Sequence, residues 1–182
     1  MNKIIFLDID GVLNAYDSKQ YMPAPDMPEV LYVGIDEDKL LNLKHIVDAT
    51  SAKIYLTSSW KYDWEKEDKF KQDDFANEID NRFAAVGLKV IDKTYESFPK
   101  FRGQGIHKAL NKLHPDTWVI LDDEVYPDFQ DYMDEIFPHF VRTLWYGDGL
   151  NADKAELAIQ VLNGKNIMDN KYETSTIHHG KK

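Results

Sequence analysis

The stretch KIIFLDIDGVLN, Lys3 to Asn14, decides the fold. Four apolar residues in a row, Ile4, Ile5, Phe6 and Leu7, run into Asp8, and Ile9, Asp10, Gly11, Val12 and Leu13 follow. A short, continuous apolar run predicts a strand buried on both faces, as in a parallel sheet covered by helices. Asp8 then falls where the strand leaves the sheet, at the carboxyl edge where open α/β sheets hold their ligands. Asp8 and Asp10 are spaced i, i+2, so in extended chain they point the same way. Gly11 lets the backbone turn sharply just beyond them. One potential nucleophile and one potential acid or base thus stand close together.

The same design recurs at Thr117 to Glu124, TWVILDDE, where Trp118, Val119, Ile120 and Leu121 run into Asp122 and Asp123. In a parallel sheet both strand ends lie on one edge, so four carboxylates converge. Left alone they would repel, and some would stay protonated near neutrality. A bound Mg²⁺ resolves the conflict, because hard divalent cations take oxygen ligands. Two apolar strands that each end in paired aspartates are hard to explain as a solvated surface.

Between them the chain alternates. Residues 15–35 carry Pro23, Pro25 and Pro28 among Tyr16, Tyr21, Met22 and Tyr32, a pattern that forbids regular helix and predicts a flap or small hairpin over the active end. Asp36 is placed to cap a helix through Thr50, with Leu40, Leu43, Ile46 and Val47 on one face. Lys53 to Trp60, KIYLTSSW, is a second strand ending in hydroxyls. Residues 60–87 form a charged, then helical, insert with Phe75, Ile79 and Phe83 at a core-facing spacing of four. Trp60, Tyr62 and Trp64 could stack an aromatic ring at the mouth or pack inward. Leu88 to Ile91 reads as a third strand. A helix starts near Gly103, and Phe140 to Leu144 is a fifth strand. Asn151 caps a last helix, and 164–182 is a polar tail whose His178 and His179 are too isolated to make a metal site. Lys100 and Arg102 precede the helix at 103, where a cation opposes the helix dipole and so calls for another charge to satisfy.

The 182 residues are enough for one domain spanning 1–163. With no cysteine, disulfides, thiolate metal sites and thiol catalysis are excluded. No apolar run reaches membrane-span length and residues 4–7 are too few for a signal sequence, so a cytoplasmic protein with no membrane partner is expected. Lys and Arg total 22 against 32 Asp and Glu, a formal charge of −10. Such a field does not attract nucleic acid overall, although a cation and a few basic groups could still handle a phosphate ester.

KIIFLDIDGVLN resembles the first motif of the haloacid dehalogenase (HAD) superfamily of aspartate-nucleophile phosphotransferases. Thr57 and Ser58 are similar to its second, Arg102 or Lys100 to its third, and Asp122 with Asp123 to its fourth. FLDIDGVLN, LTSSW, RGxxI, VILDD and FVRT followed by GL further resemble the phosphatase-type domain of the Swiss Army Knife RNA repair proteins. The resemblance implies a Rossmann-like three-layer α/β sandwich with a five-stranded, mainly parallel sheet in the order 5-4-1-2-3. It implies Asp8 as nucleophile, Asp10 as acid and base, and Thr57, Ser58 and Arg102 or Lys100 on the phosphoryl oxygens. Mg²⁺ would be held by the side chains of Asp8 and Asp122, the backbone carbonyl of Asp10 and, through water, Asp123. The expected substrate is a phosphorylated nucleotide or polynucleotide end, the latter only if Lys61, Lys66, Lys69 and Lys71 line a local track. The competing expectations are another small phosphate ester, or a phosphoacceptor module without turnover.

Overall fold

Ile4, Ile5, Phe6 and Leu7 have no exposed surface, as a strand covered on both faces requires. The structure, a computed structural model, describes residues 1–23, 31–98 and 100–166. Along the chain these form β1 (Lys3–Leu7), β2 (Tyr21–Pro23), β3 (Leu31–Val33), α1 (Glu37–Thr50), β4 (Lys53–Leu56) and α2 (Asp74–Ala85). There follow β5 (Val90–Lys93), α3 (Arg102–Leu113), β6 (Thr117–Asp122), α4 (Met133–Ile136), β7 (Phe140–Arg142) and α5 (Ala152–Leu162).

Five strands make one sheet in the order β5-β4-β1-β6-β7, and every pairing in it is parallel. The labels differ from the expected order because β2 and β3 form a separate antiparallel hairpin. Counting sheet strands alone gives 3-2-1-4-5, which is 5-4-1-2-3 read from the opposite edge. The period of two along β1 sorts the core. Ile5 and Leu7 pack with Leu40, Leu43 and Ile46 of α1, Ile79 and Phe83 of α2, and Ala155, Ala158 and Leu162 of α5. Ile4 and Phe6 face the other way, onto Ile106 and Leu110 of α3, Ile136 of α4 and Phe129 in the turn before α4. Each of the Leu, Ile and Phe side chains among them contributes about 1.5–3 kcal/mol through burial. The result is the α/β, three-layer, Rossmann-like arrangement.

Several boundaries differ from expectation. The third sheet strand begins at Val90, not Leu88, because Leu88 belongs to the end of α2: its N–H donates to Phe83 O at 2.8 Å while Gly87 takes a φ of +77°. That is the closing pattern of a helix C-terminus. The fifth is shorter than expected, ending at Arg142. Asp36 occupies the cap position of α1 but caps nothing with its side chain. It instead accepts from Lys39 Nζ at 2.8 Å and from Ser18 Oγ, a buried network at the base of the hairpin. Asn151 does cap α5, accepting from Lys154 N at 3.0 Å. Pro25 and Pro28 of the expected flap, and His178 and His179 of the expected tail, lie outside the described residues. No described helix is long and apolar enough to cross a membrane.

Candidate active site

The ladder of the sheet carries one residue past the strand ends. Asp8 N donates to Leu121 O at 2.9 Å, Thr57 N to Leu7 O at 2.8 Å and Thr143 N to Asp122 O at 3.0 Å. Asp8, Thr57 and Asp122 therefore stand side by side on the carboxyl edge. Carboxylate oxygens of Asp8, Asp122 and Asp123 lie within 4.8 Å of one another. Asp123 comes this close because residue 11 has no side chain. Gly11 adopts φ +72°, and a Cβ there would overlap the Asp123 carboxyl.

Of the two candidate cations, Arg102 is the one brought to the aspartates. Its Nη1 lies 2.9 Å from Asp8 Oδ2 and 2.6 Å from Asp122 Oδ2, with all three side chains buried. Burial works against the charge of Arg102, but Asp8 and Asp122 outweigh it and hold the guanidinium protonated. The guanidinium also lies over the Tyr126 ring, 4.3 Å from its centroid. Lys100 stays exposed on the rim of the same cavity. What fixes Arg102 is a distant acid. Asp128 accepts from Gly103 N at 3.2 Å and Gln104 N at 2.8 Å, so a carboxylate from another element caps α3 and offsets the helix dipole.

Asp10 shares the cavity. Its Oδ1 accepts from Asn14 Nδ2 at 3.0 Å and its Oδ2 from Trp60 Nε1 at 3.0 Å. Burial raises its proton affinity, opposed by Asn14 and assisted by the charge of Asp8. Burial, then Asp8, likewise push Asp122 upward and bring Asp123 up to about 6. A divalent cation fits this set: the oxygen ligands are hard, they converge, and it would offset the burial and repulsion that raise the proton affinity of Asp122 and Asp123. Among the described residues, Thr57 Oγ1 and Arg102 Nε are buried without a hydrogen-bond partner. Ser58 Oγ accepts from Trp60 N at 3.3 Å, so its side chain is committed to the local turn.

The carboxylates open into a cavity of about 700 Å³ whose rim includes Tyr32, Tyr62, Trp145 and Lys100. Trp60 and Trp64 are buried, and Tyr62 is the one of the three that reaches the mouth. The lysine track does not form. Lys61 is buried, 2.6 Å from Glu96 Oε1, while Lys69 pairs with Asp80 at 2.8 Å and Lys71 with Asp68 at 2.7 Å. Lys66 lies 3.8 Å from Asp92. These acids, scattered over the chain, already answer the basic run.

Sequence reasoning missed Asn14, Tyr126 and Asp128, and it noticed Trp60 only as an aromatic. Asn14 offered a signal, a polar residue four after Asp10 in an otherwise apolar turn; Asp128 offered none, since its partner lies far off in sequence.

An open parallel sheet that gathers paired aspartates from two adjacent strand ends around a buried arginine defines a HAD-like α/β domain, a class of phosphatase-type hydrolases. The sequence model of the family described as the HAD domain in Swiss Army Knife RNA repair proteins matches residues 4–155, and the chain belongs to that family. No curated protein and no solved structure matches it.

Proposed function

We propose that this protein is a Mg²⁺-dependent phosphomonoester hydrolase that works through an aspartyl-phosphate and acts on a nucleotide or a nucleic-acid end. The observation that carries the reading is Arg102 Nη1 lying between Asp8 and Asp122 on adjacent strand ends. Asp8 attacks phosphorus in line, and Asp10 gives a proton to the departing oxygen. Asp10 then takes a proton from the water that releases phosphate. Thr57 Oγ1 and Arg102 Nε, both buried and without a partner among the described residues, are donors for the phosphoryl oxygens, where charge stabilisation matters most. Asp8, Asp122, Asp123 and the backbone carbonyl of Asp10 would hold Mg²⁺, whose chemistry there is to neutralise the carboxylates and the phosphoryl charge.

The rim favours a ring-bearing leaving group. Tyr32, Tyr62 and Trp145 offer aromatic faces to a base, and each stacked base contributes about 1–3 kcal/mol. Against a long polyanion stand the charge of −10 and the paired lysines, which support a mononucleotide or a single terminal nucleotide. A screen over nucleotides, 3′- and 5′-phosphorylated oligonucleotides and sugar phosphates tests this, with Asp8→Asn as control. Nucleotide-type substrates should turn over, and Asp8→Asn should abolish hydrolysis. A stable acyl-phosphate without turnover of any ester would instead establish the phosphoacceptor alternative.

A further inference from the structure

Trp60 is buried, and its one side-chain polar atom is spent on a carboxylate: Nε1 donates to Asp10 Oδ2 at 3.0 Å. The other oxygen of Asp10 takes its bond from Asn14 Nδ2 at the same distance. One donor on each oxygen fixes both the torsion and the plane of the carboxyl group, while each oxygen keeps a second lone pair. Both donors are themselves held. The Trp60 backbone N–H donates to Ser58 Oγ at 3.3 Å, and its ring lies 4.7 Å from that of Phe75, which Tyr32 of the hairpin meets edge-on at 5.2 Å. Asn14 has no exposed surface; its Oδ1 accepts from Gly11 N at 3.0 Å and its Nδ2 reaches Val33 O at 3.4 Å. A buried indole N–H needs some acceptor; here that acceptor is a carboxylate lining the cavity rather than a backbone carbonyl of the core.

We infer that Trp60, together with Asn14, is a positioning residue for proton transfer, aiming Asp10 at the oxygen that leaves and then at the water that attacks. The inference rests on the reading of Asp8 as nucleophile and Asp10 as acid and base. In the first step the bond from Asp8 to phosphorus forms, the bond to the leaving oxygen breaks, and the proton of Asp10 passes to that oxygen. In the second, water bonds to phosphorus, the Asp8 ester breaks, and a proton of the water returns to Asp10.

Trp60→Phe keeps the ring and removes the N–H. A leaving group that departs as a stable anion needs no proton, so the two steps can be told apart. For an alkyl phosphate kcat/KM should fall ~10-fold or more, whereas for p-nitrophenyl phosphate it should stay within ~3-fold. With p-nitrophenyl phosphate the second step still needs Asp10, so the variant should give a burst of p-nitrophenolate equal to the enzyme concentration and an acid-trapped phosphoenzyme. Asn14→Leu, which removes the other donor, should give the same pattern and serves if Trp60→Phe does not fold. Equal losses on both substrates without a burst, or no loss on either, overturn the positioning role. Asp8→Asn separates the two claims. If it abolishes wild-type hydrolysis while Trp60→Phe shows no leaving-group selectivity, only the positioning role fails. If the wild-type protein hydrolyses neither ester, both fail.

Discussion

Arg102 has to satisfy two buried carboxylates at once, at 2.9 Å and 2.6 Å from one nitrogen. Removing the guanidinium leaves Asp8 and Asp122 facing each other without a counter-charge, and it withdraws a cation from any phosphoryl group held there. Arg102→Met should therefore lower kcat ~10²–10³-fold, while Lys100→Ala, a change at an exposed rim residue, should stay within ~3-fold. Steady-state assay of both variants on one substrate checks this; a larger loss at Lys100 would reverse the assignment. That Asp8, Asp10, Asp122 and Asp123 gather at the strand ends is legible in the sequence, because a strand end is a local event, announced by the apolar run before it. Choosing between Lys100 and Arg102 was not local. Which of two cations turns inward depends on where α3 begins, and that depends on Asp128, whose contacts are with Gly103 and Gln104.

At the scale of elements, the apolar runs sufficed for the sheet and its neighbours, since burial on both faces is written into each strand. The ends were harder to read, because they depend on atoms elsewhere. Leu88 reads as strand, yet its N–H closes α2, and Asp36 reads as a helix cap, yet its carboxylate accepts from Lys39 and Ser18 instead. The start of α3 gives the sharpest prediction. Asp128→Ala frees two amide N–H groups at the helix N-terminus and removes the charge that offsets the dipole. It should destabilise the protein by about 1–2 kcal/mol in a denaturant melt. Because Arg102 is the first residue of that helix, kcat should fall as well. Asp128→Asn keeps an acceptor and should recover most of both. Unchanged turnover in a destabilised Asp128→Ala protein would show that α3 finds its place without this cap.

Across the whole molecule, folding gathers acids in a chain that already carries a charge of −10, and the binding of a cation should be visible in stability. Asp123 is brought up to about 6 by burial first and the charge of Asp8 second. An unfolded aspartate loses its proton near pH 3.9. Between about pH 4 and 6 the folded state thus binds more protons than the unfolded one, so the contribution of Asp123 to stability falls as pH rises through that window. Below the window the penalty is absent, and above it the penalty is complete. Mg²⁺ bound as proposed would compete with those protons and relieve the same repulsion. Its stabilisation, about 2.7 kcal/mol at a hundred times its Kd, should therefore be larger above the window than inside it. Thermal melts in EDTA and in Mg²⁺ at pH 5.0 and pH 7.5 measure this directly. Asp123→Asn should weaken the Mg²⁺ shift at pH 7.5 and flatten the decline of Tm with pH in EDTA relative to wild type. An Mg²⁺ shift of equal size at both pH values, unaltered by Asp123→Asn, would mean that the ion binds away from the acidic strand ends.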